Sequence, residues 1–153
     1  MINYIASPGI SEHLSDNGYY VVDKDGVWLI YTKVGGAHTL DESLETEAIV
    51  QALIDNYSPL EYLKVEKENQ VIDEAVERAK AIFPTIDNIG ALKLEQERWL
   101  SIQATARSTP TTEYQKALDI YTAATGAVTG IKAEKVVSNL EAYDVTSDPA
   151  WPV

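Results

Sequence analysis

The chain contains no cysteine, and its 153 residues include only two histidines, one methionine and one phenylalanine. Without cysteine there can be no disulfide framework, no thiolate nucleophile and no cysteine-ligated zinc site. The apolar runs, such as Val27 to Tyr31, are far shorter than the ~20 residues needed to cross a bilayer. We therefore expect no membrane span, and several classes of enzyme are excluded.

Basic side chains are also scarce, with 12 against 24 acidic ones and a net charge of −12 at pH 7. The excess of acid is greatest in residues 1–58, where nine acidic side chains face only Lys24 and Lys33. Such a field repels phosphate backbones and anionic lipids, so we expect no direct binding of nucleic acid or membranes. It favours a partner with basic patches, although excess acid also serves simply to keep a protein soluble.

The remaining composition is typical of a folded chain, with 45% hydrophobic residues and a mean hydropathy of −0.17. Its N-terminal residues 1–13 lack the basic and longer apolar segments of a secretory signal. We expect the mature protein to begin near Met1 and to reside in the cytoplasm.

Two segments rich in β-branched and aromatic residues, Tyr19 to Val22 and Val27 to Thr32, predict a β-hairpin. Asp25-Gly26 between them tolerates the positive φ of a tight turn. Alternation places Trp28 and Ile30 on one face. It places Val27, Leu29 and Tyr31 on the other, so both faces are apolar. Because a two-stranded hairpin is marginal alone, we expect a third strand from Ile2 to Ile5, or helices packed on one face. A face left uncovered would be a docking surface.

Helix signals dominate the rest of the chain. Thr39-Leu40-Asp41-Glu42 has the T-x-x-E pattern of a capping box and predicts a helix to about Tyr57. Ser58-Pro59 predicts the start of a second helix, which Pro84 ends. Asp87 or Asn88 can cap a third.

The third predicted helix carries Trp99 in its apolar stripe and stops before Ser108. Thr109-Pro110 opens a fourth helix, which we expect Gly126 and Gly130 to fray. Residues 133–143 predict a short last helix. The fold class predicted is therefore α+β: a small N-terminal β-hairpin or sheet unit (1–38), a helical bundle of three to five helices (39–143), and an extended C-terminal tail (144–153).

No pattern predicts catalytic, cofactor-binding or metal-ligating residues. His13 and His38 are not spaced to converge on a metal, and Glu95, Glu97 and Arg98 are typical of the solvated side of a helix. Asp23 to Gly26 lacks the later ligands of a calcium loop and indicates a turn. Gly35-Gly36 lacks the residues of a phosphate loop and indicates a flexible joint. We expect a protein that is not an enzyme and needs no cofactor.

The residues that favour contact with a partner are Tyr20, Trp28 and Ile30 in the hairpin and Trp151 in the tail. The hairpin aromatics would otherwise be ordinary sheet core. Trp151 stands between two prolines, so it either packs into a groove of its own fold or inserts into another protein.

A resemblance adds a more specific expectation. Five segments carry it, spread from about Ile49 to the C-terminus: ALIDNYSPLEYLK, IFPTIDNIGAL, ERWLSIQATAR, EYQKALDIYTAA and DPAWP. They resemble segments of small proteins encoded beside tail-fibre genes in tailed bacteriophages. Such proteins include tail-fibre assembly chaperones, and several combine a small β-rich N-terminal part with a helical remainder. The resemblance covers about two thirds of the chain and leaves residues 1–48 aside.

The resemblance implies a tail-fibre assembly chaperone or a fibre-bound accessory protein that acts by binding. Its partner would be a phage tail-fibre or other tail protein, met in the host cytoplasm during assembly or in the virion tail. Two alternatives stay open: a permanent virion component joining fibre to baseplate or decorating it, and an acidic host-takeover inhibitor. A homo-oligomer is compatible with each.

Overall fold

The computed structural model of the chain describes residues 1–106 and 112–153, with the backbone alone for Trp99, 102–106 and 112–114. The sheet consists of β1 (Tyr19–Lys24), β2 (Val27–Val34) and β3 (Ala37–Leu40). The helices are α1 (Ile10–Asp16), α2 (Leu44–Asp55), α3 (Leu60–Ile82), α4 (Ile89–Ala106), α5 (Thr112–Ala133) and α6 (Val137–Ala142). A three-stranded antiparallel sheet near the N-terminus is thus followed by several helices, and the predicted α+β class is confirmed.

The predicted hairpin is present as β1 and β2, which pair in antiparallel register from Tyr19 opposite Thr32 to Lys24 opposite Val27. Only Asp25 and Gly26 lie in the turn, with φ of 56° and 83°. Two consecutive positive φ values give a turn whose twist matches that of the flanking strands. This explains why Asp-Gly stands here.

The third strand is β3 and not the predicted segment Ile2 to Ile5. β3 follows a second tight turn at Gly35 and Gly36, where φ is 59° and 87°, and it pairs antiparallel with β2. The expected flexible joint is therefore a hairpin turn. Residues 2–5 form no strand, and Ile2 lies in the core with 5% of its surface exposed.

The capping box predicted at Thr39 is wrong, because Thr39 and Leu40 belong to β3. The helix begins one turn later, at Leu44, where the Ser43 hydroxyl accepts a 3.3 Å hydrogen bond from the Thr46 N–H. Asp41 supports this cap by accepting from the Ser43 N–H at 3.0 Å and from the Thr46 hydroxyl at 2.8 Å. Pairing of β3 with β2 outweighed the local capping signal.

The chain divides into two compact units, residues 1–63 and 64–153, with the division inside α3. The first contains all of the predicted β-rich unit 1–38, in which α1 also lies, followed by α2 and the start of α3. Helix α1 was not predicted from the sequence. The core of this unit joins side chains from one face of the sheet to α1 and α2: Ile2, Ile10, Leu14, Ile30, Val50 and Ile54.

In the second unit, α3 ends before Pro84 as predicted, and the side chains of Glu74 and Arg78 on this helix form an ion pair at 2.7 Å. Asn88 caps α4 by accepting from the Ala91 N–H at 2.9 Å. Fully or nearly fully buried residues come from all its helices: Val71, Ala75, Ala79, Leu92, Ala117, Leu118, Ile120, Ala124, Ile131 and Leu140.

Two predictions for this unit lie outside the described residues: the core position of the Trp99 side chain and the break at 108–110. The predicted fraying at Gly126 and Gly130 is wrong, since α5 continues through both to Ala133. Tertiary packing of Ala124 and Ile131 outweighs the low helix propensity of glycine. The predicted short last helix is present as α6.

The C-terminal segment is not simply extended, because Asp144 to Asp148 form a turn in which the Asp148 N–H donates to the Asp144 carbonyl at 2.8 Å. Two cationic side chains of α3 hold this region. The Lys67 ammonium donates to the Tyr143 carbonyl at 2.8 Å, and the Arg78 guanidinium donates to the Thr146 carbonyl at 3.3 Å.

Candidate functional site

The sheet has two faces, and the register assigns each residue to one of them. Residues directly opposite each other on paired strands share a face, and successive residues alternate. The face turned toward α1 and α2 carries Tyr19, Val21, Trp28 and Ile30, all of which contact the core of the unit. The opposite face, here called the outer sheet face, consists of Tyr20, Val22, Lys24, Val27, Leu29, Tyr31, Lys33, His38 and Leu40.

The outer sheet face is predominantly apolar although it is open to solvent. Tyr20 is 47% exposed, Val22 45%, Val27 41% and Leu40 42%, while Leu29 and Tyr31 are half-buried. Single exposed apolar residues are ordinary, but a contiguous apolar patch is typical of an interaction site. This face is therefore the strongest candidate for a functional surface in the first unit.

One ring contact crosses the outer sheet face. The Tyr20 ring, on β1, lies 4.6 Å from the His38 ring, on β3, with 30° between their planes. The two rings thus meet over the central strand β2. Aromatic rings held in this way present a large, rigid contact area with little conformational freedom left to lose on binding.

The structure separates the four residues predicted to contact a partner. Tyr20 lies on the outer sheet face. Trp28 and Ile30 lie on the inner face, where the Trp28 ring packs 4.4 Å from that of Tyr4 and Ile30 is only 3% exposed. Their roles in binding stay predictions, but among the three hairpin residues only Tyr20 belongs to the outer sheet face.

Trp151 lies in the second unit and packs against its own chain. Its indole N–H donates to the Val145 carbonyl at 2.9 Å, and the Arg78 guanidinium carbon lies 5.1 Å from the ring centroid. A cation over an indole face is attracted by the quadrupole of the ring. Trp151 is half-buried by these contacts, which correspond to the self-packed alternative; its role in binding a partner is still a prediction.

Sequence reasoning separated Val27, Leu29 and Tyr31 from the inner-face residues, but it did not select them as contacts for a partner. Val22, Leu29 and Tyr31 could have been grouped with Tyr20 by counting outward from the Asp25-Gly26 turn, because Lys24 then faces Val27 and the register follows. Leu40 could not have been assigned to this face, because its segment carries a helix-capping pattern. The hairpin register was the available signal.

The second unit contains a groove with a volume of about 660 Å³. Its floor is a run of small residues on α5, and its far wall is α6 with residues 148–150. Neither Gly126 nor Gly130 would place an added Cβ within 4 Å of another atom, so the space over this part of α5 is open.

The carboxylates lining the groove are already hydrogen-bonded within the chain. Glu134 accepts from the N–H groups of Val136 and Lys135 at 2.9 and 2.8 Å and from the Asn139 amide at 3.1 Å. The Val136 and Lys135 bonds, followed by that of Asn139, lower the pKa of Glu134. Glu134 therefore acts as a structural acceptor that orders the chain before α6.

Other groups whose pKa is shifted also form hydrogen bonds within the chain. Hydrogen bonds from Thr146, first from its hydroxyl, lower the pKa of Asp144, and those from Ser43 and Thr46 lower the pKa of Asp41. Desolvation, helped by the charge of Glu12, raises the pKa of Tyr57, whose hydroxyl donates to the Pro8 carbonyl at 2.6 Å. Among the described side chains, no three His, Asp or Glu groups converge in a way that could hold a metal ion.

Within the described ranges, no helix has a stretch both long and apolar enough to span a membrane. Comparison of the chain with protein families, curated proteins and solved structures found no match.

Proposed function

We propose that this protein acts by binding another protein through its outer sheet face and that it does not act by catalysis. The observation that carries the proposal is the exposed apolar character of that face, next to an inner face that already packs on α1 and α2. A sheet needs one covered face for stability, so the second apolar face is available for another chain.

The resemblance to tail-fibre-associated proteins makes the proposal more specific. We infer that the partner is a phage tail-fibre or other tail protein, and that the role is that of an assembly chaperone or fibre-bound accessory. Fibre subunits expose strand edges and apolar surface before they intertwine, and these are prone to aggregate. A rigid apolar face that covers them would keep the subunits soluble until assembly.

The area available on the outer sheet face is sufficient for a useful affinity. An aromatic side chain has roughly 200 Å² of surface, and Tyr20 leaves 47% of its own exposed. Covering about 90 Å² at ~25 cal/mol per Å² stabilises a complex by ~2 kcal/mol from this residue alone. Val22, Val27 and Leu40 would contribute in the same way, and truncating Tyr20 should weaken binding about tenfold.

Co-expression with a neighbouring tail-fibre gene tests the proposal. The readouts are the amount of soluble fibre trimer by light scattering and co-purification of the two proteins. Tyr20→Ala should reduce both, whereas Tyr62→Ala, which changes a tyrosine of similar exposure on α3 at 40%, should leave both unchanged. Equal yields of trimer with and without the protein, and no complex, would refute the chaperone role.

The same surface would serve a permanent virion component. Mass spectrometry of purified particles separates the two roles, because a structural subunit is present at fixed stoichiometry and a chaperone is absent.

A further inference from the structure

The outer sheet face carries positive charge in a strongly acidic unit. Lys24 and Lys33 are the only lysines or arginines in residues 1–58, against nine acidic side chains. Both belong to the outer sheet face, because Lys24 lies opposite Val27 and Lys33 lies opposite His38. Both are exposed, and within the described residues neither ammonium forms an ion pair.

Carboxylates are missing from the strand positions that make up this face. The one acidic residue within the strands, Asp23, lies opposite Trp28 and so belongs to the inner side, where its carboxylate accepts from the Gly26 N–H at 2.9 Å. Asp41, just after β3, is held by Ser43 and Thr46. The strand positions of this face therefore carry positive charge only, while Asp25 in the adjacent turn and Asp41, Glu42 and Glu47 near Val27 and Leu29 lie at its edges.

We propose that the outer sheet face takes a partner segment whose apolar side chains are bracketed by two carboxylates. This rests on the proposed function and names the chemistry of the surface that is bound. It also reverses, for this face, the preference for a basic partner that the net charge of the whole chain suggests.

The spacing of the two lysines sets the spacing of the carboxylates. Along β2, Lys33 lies six positions after Val27, the neighbour of Lys24. At about 3.3 Å per residue the two ammonium groups bracket roughly 20 Å of apolar surface. An extended partner segment covers that distance in seven residues, with its first and seventh side chains directed at the lysines.

The lysines should control the choice of partner more than its affinity. An exposed ion pair contributes only a factor of a few to a binding constant, and like charges oppose by a similar factor. With two sites, a segment carrying two carboxylates should bind about tenfold more tightly than one carrying two ammonium groups, and salt should reduce the difference. The apolar residues of the face supply the rest of the binding affinity.

The test uses three end-blocked peptides that differ only at their termini. The first, Glu-Thr-Val-Thr-Tyr-Thr-Glu, places two glutamates, a valine and a tyrosine on one side of an extended chain. The others carry lysine or glutamine in place of both glutamates. Binding to the full chain is followed by NMR chemical-shift changes of the outer-face residues. It is measured in low salt and in ~0.5 M salt, where the electrostatic screening length is only a few ångströms.

We expect the glutamate peptide to bind about tenfold more tightly than the lysine peptide, with the glutamine peptide between them. The double variant Lys24→Glu/Lys33→Glu should reverse the order, with its fold checked by circular dichroism. Equal binding of the three peptides, all weakened by Val22→Ser, would overturn the charge preference while leaving the proposed function intact. NMR chemical-shift changes confined to other surfaces, or no changes at all, would also overturn the proposed binding of an acidic segment. The co-expression assay would then decide the proposed function separately.

Two other occupants would give distinct results that overturn the proposal. A second copy would show as concentration-dependent association by light scattering, abolished by Lys24→Glu/Lys33→Glu in the absence of peptide. A single-stranded oligonucleotide that shifts the same residues more strongly than the glutamate peptide would assign the lysines to phosphate contacts.

Discussion

Replacing Gly126 by alanine should stabilise the protein, although glycines are often retained for space or for backbone conformation. Gly126 lies in the interior of α5, and its φ is not in the left-handed region. A Cβ built there meets no atom within 4 Å. Neither a clash nor backbone strain therefore opposes the substitution.

The magnitude follows from helix propensity. Alanine is favoured over glycine in a helix interior by about 0.8–1.0 kcal/mol, chiefly because glycine loses more backbone freedom on folding. With a urea dependence of about 2 kcal/mol per M, a gain of this size raises the midpoint of denaturation by roughly 0.5 M. Urea titration followed by far-ultraviolet circular dichroism measures the shift.

Gly26→Ala is the matched control, because its added Cβ also meets nothing within 4 Å while its φ is +83°. Alanine in the left-handed region costs roughly 1–2 kcal/mol, so this variant should be less stable than the parent. The positions of these two substitutions, Gly126 and Gly26, differ in backbone conformation and not in the space available for a Cβ. A Gly126→Ala protein that is no more stable than the parent would refute the account of α5 as an unstrained helix through this position.

Two further predictions concern the core and the acid response. Leu14 is only 1% exposed, so Leu14→Ala should lower the free energy of unfolding by about 2–5 kcal/mol, because a cavity remains. Urea titration measures this change. A decrease below about 1 kcal/mol would contradict the packing of α1. The folded pKa of Glu134 is lowered, so its stabilisation is present above the ordinary glutamate pKa and is lost as pH falls through the folded value. The stability difference between the parent and Glu134→Gln should be constant above about pH 5 and shrink below it, with Glu141→Gln as the control; a pH-independent difference would contradict this.

The hairpin could be predicted from sequence because its decisive signals are local. Asp25-Gly26 fixes both the turn and, by counting outward, the register of β1 on β2. Ser58-Pro59 and Pro84 delimited α3 for the same reason, since proline acts on its immediate neighbours.

The errors arose where a local signal competes with pairing or packing over longer distances. Thr39 fits a capping box, but its backbone pairs with Thr32 across a turn formed by Gly35 and Gly36. Helix α1 has only seven residues and a Gly9 N-cap without a side-chain hydrogen bond, so it offers little local signal.

The candidate site shows the same limit. Alternation in β2 divided its residues correctly between two faces, but it did not indicate which face α1 and α2 would cover. Trp28 and Ile30 were therefore chosen together with Tyr20, although core contacts place them on the opposite side. Burial of one face depends on residues far away in sequence, such as Leu14 and Val50, and could not be inferred from the hairpin alone.

If the outer sheet face contacts the partner, site-specific photo-crosslinking should show that contact directly. A benzophenone side chain is introduced at Val22, on the outer sheet face, or at Ile49, on α2. These two β-branched residues are 45% and 43% exposed. Each variant is irradiated with the co-expressed fibre protein and analysed by mass spectrometry. We expect crosslinks to the fibre from Val22 and none from Ile49; crosslinks from Ile49 alone, or equally from both, would show that the partner binds elsewhere.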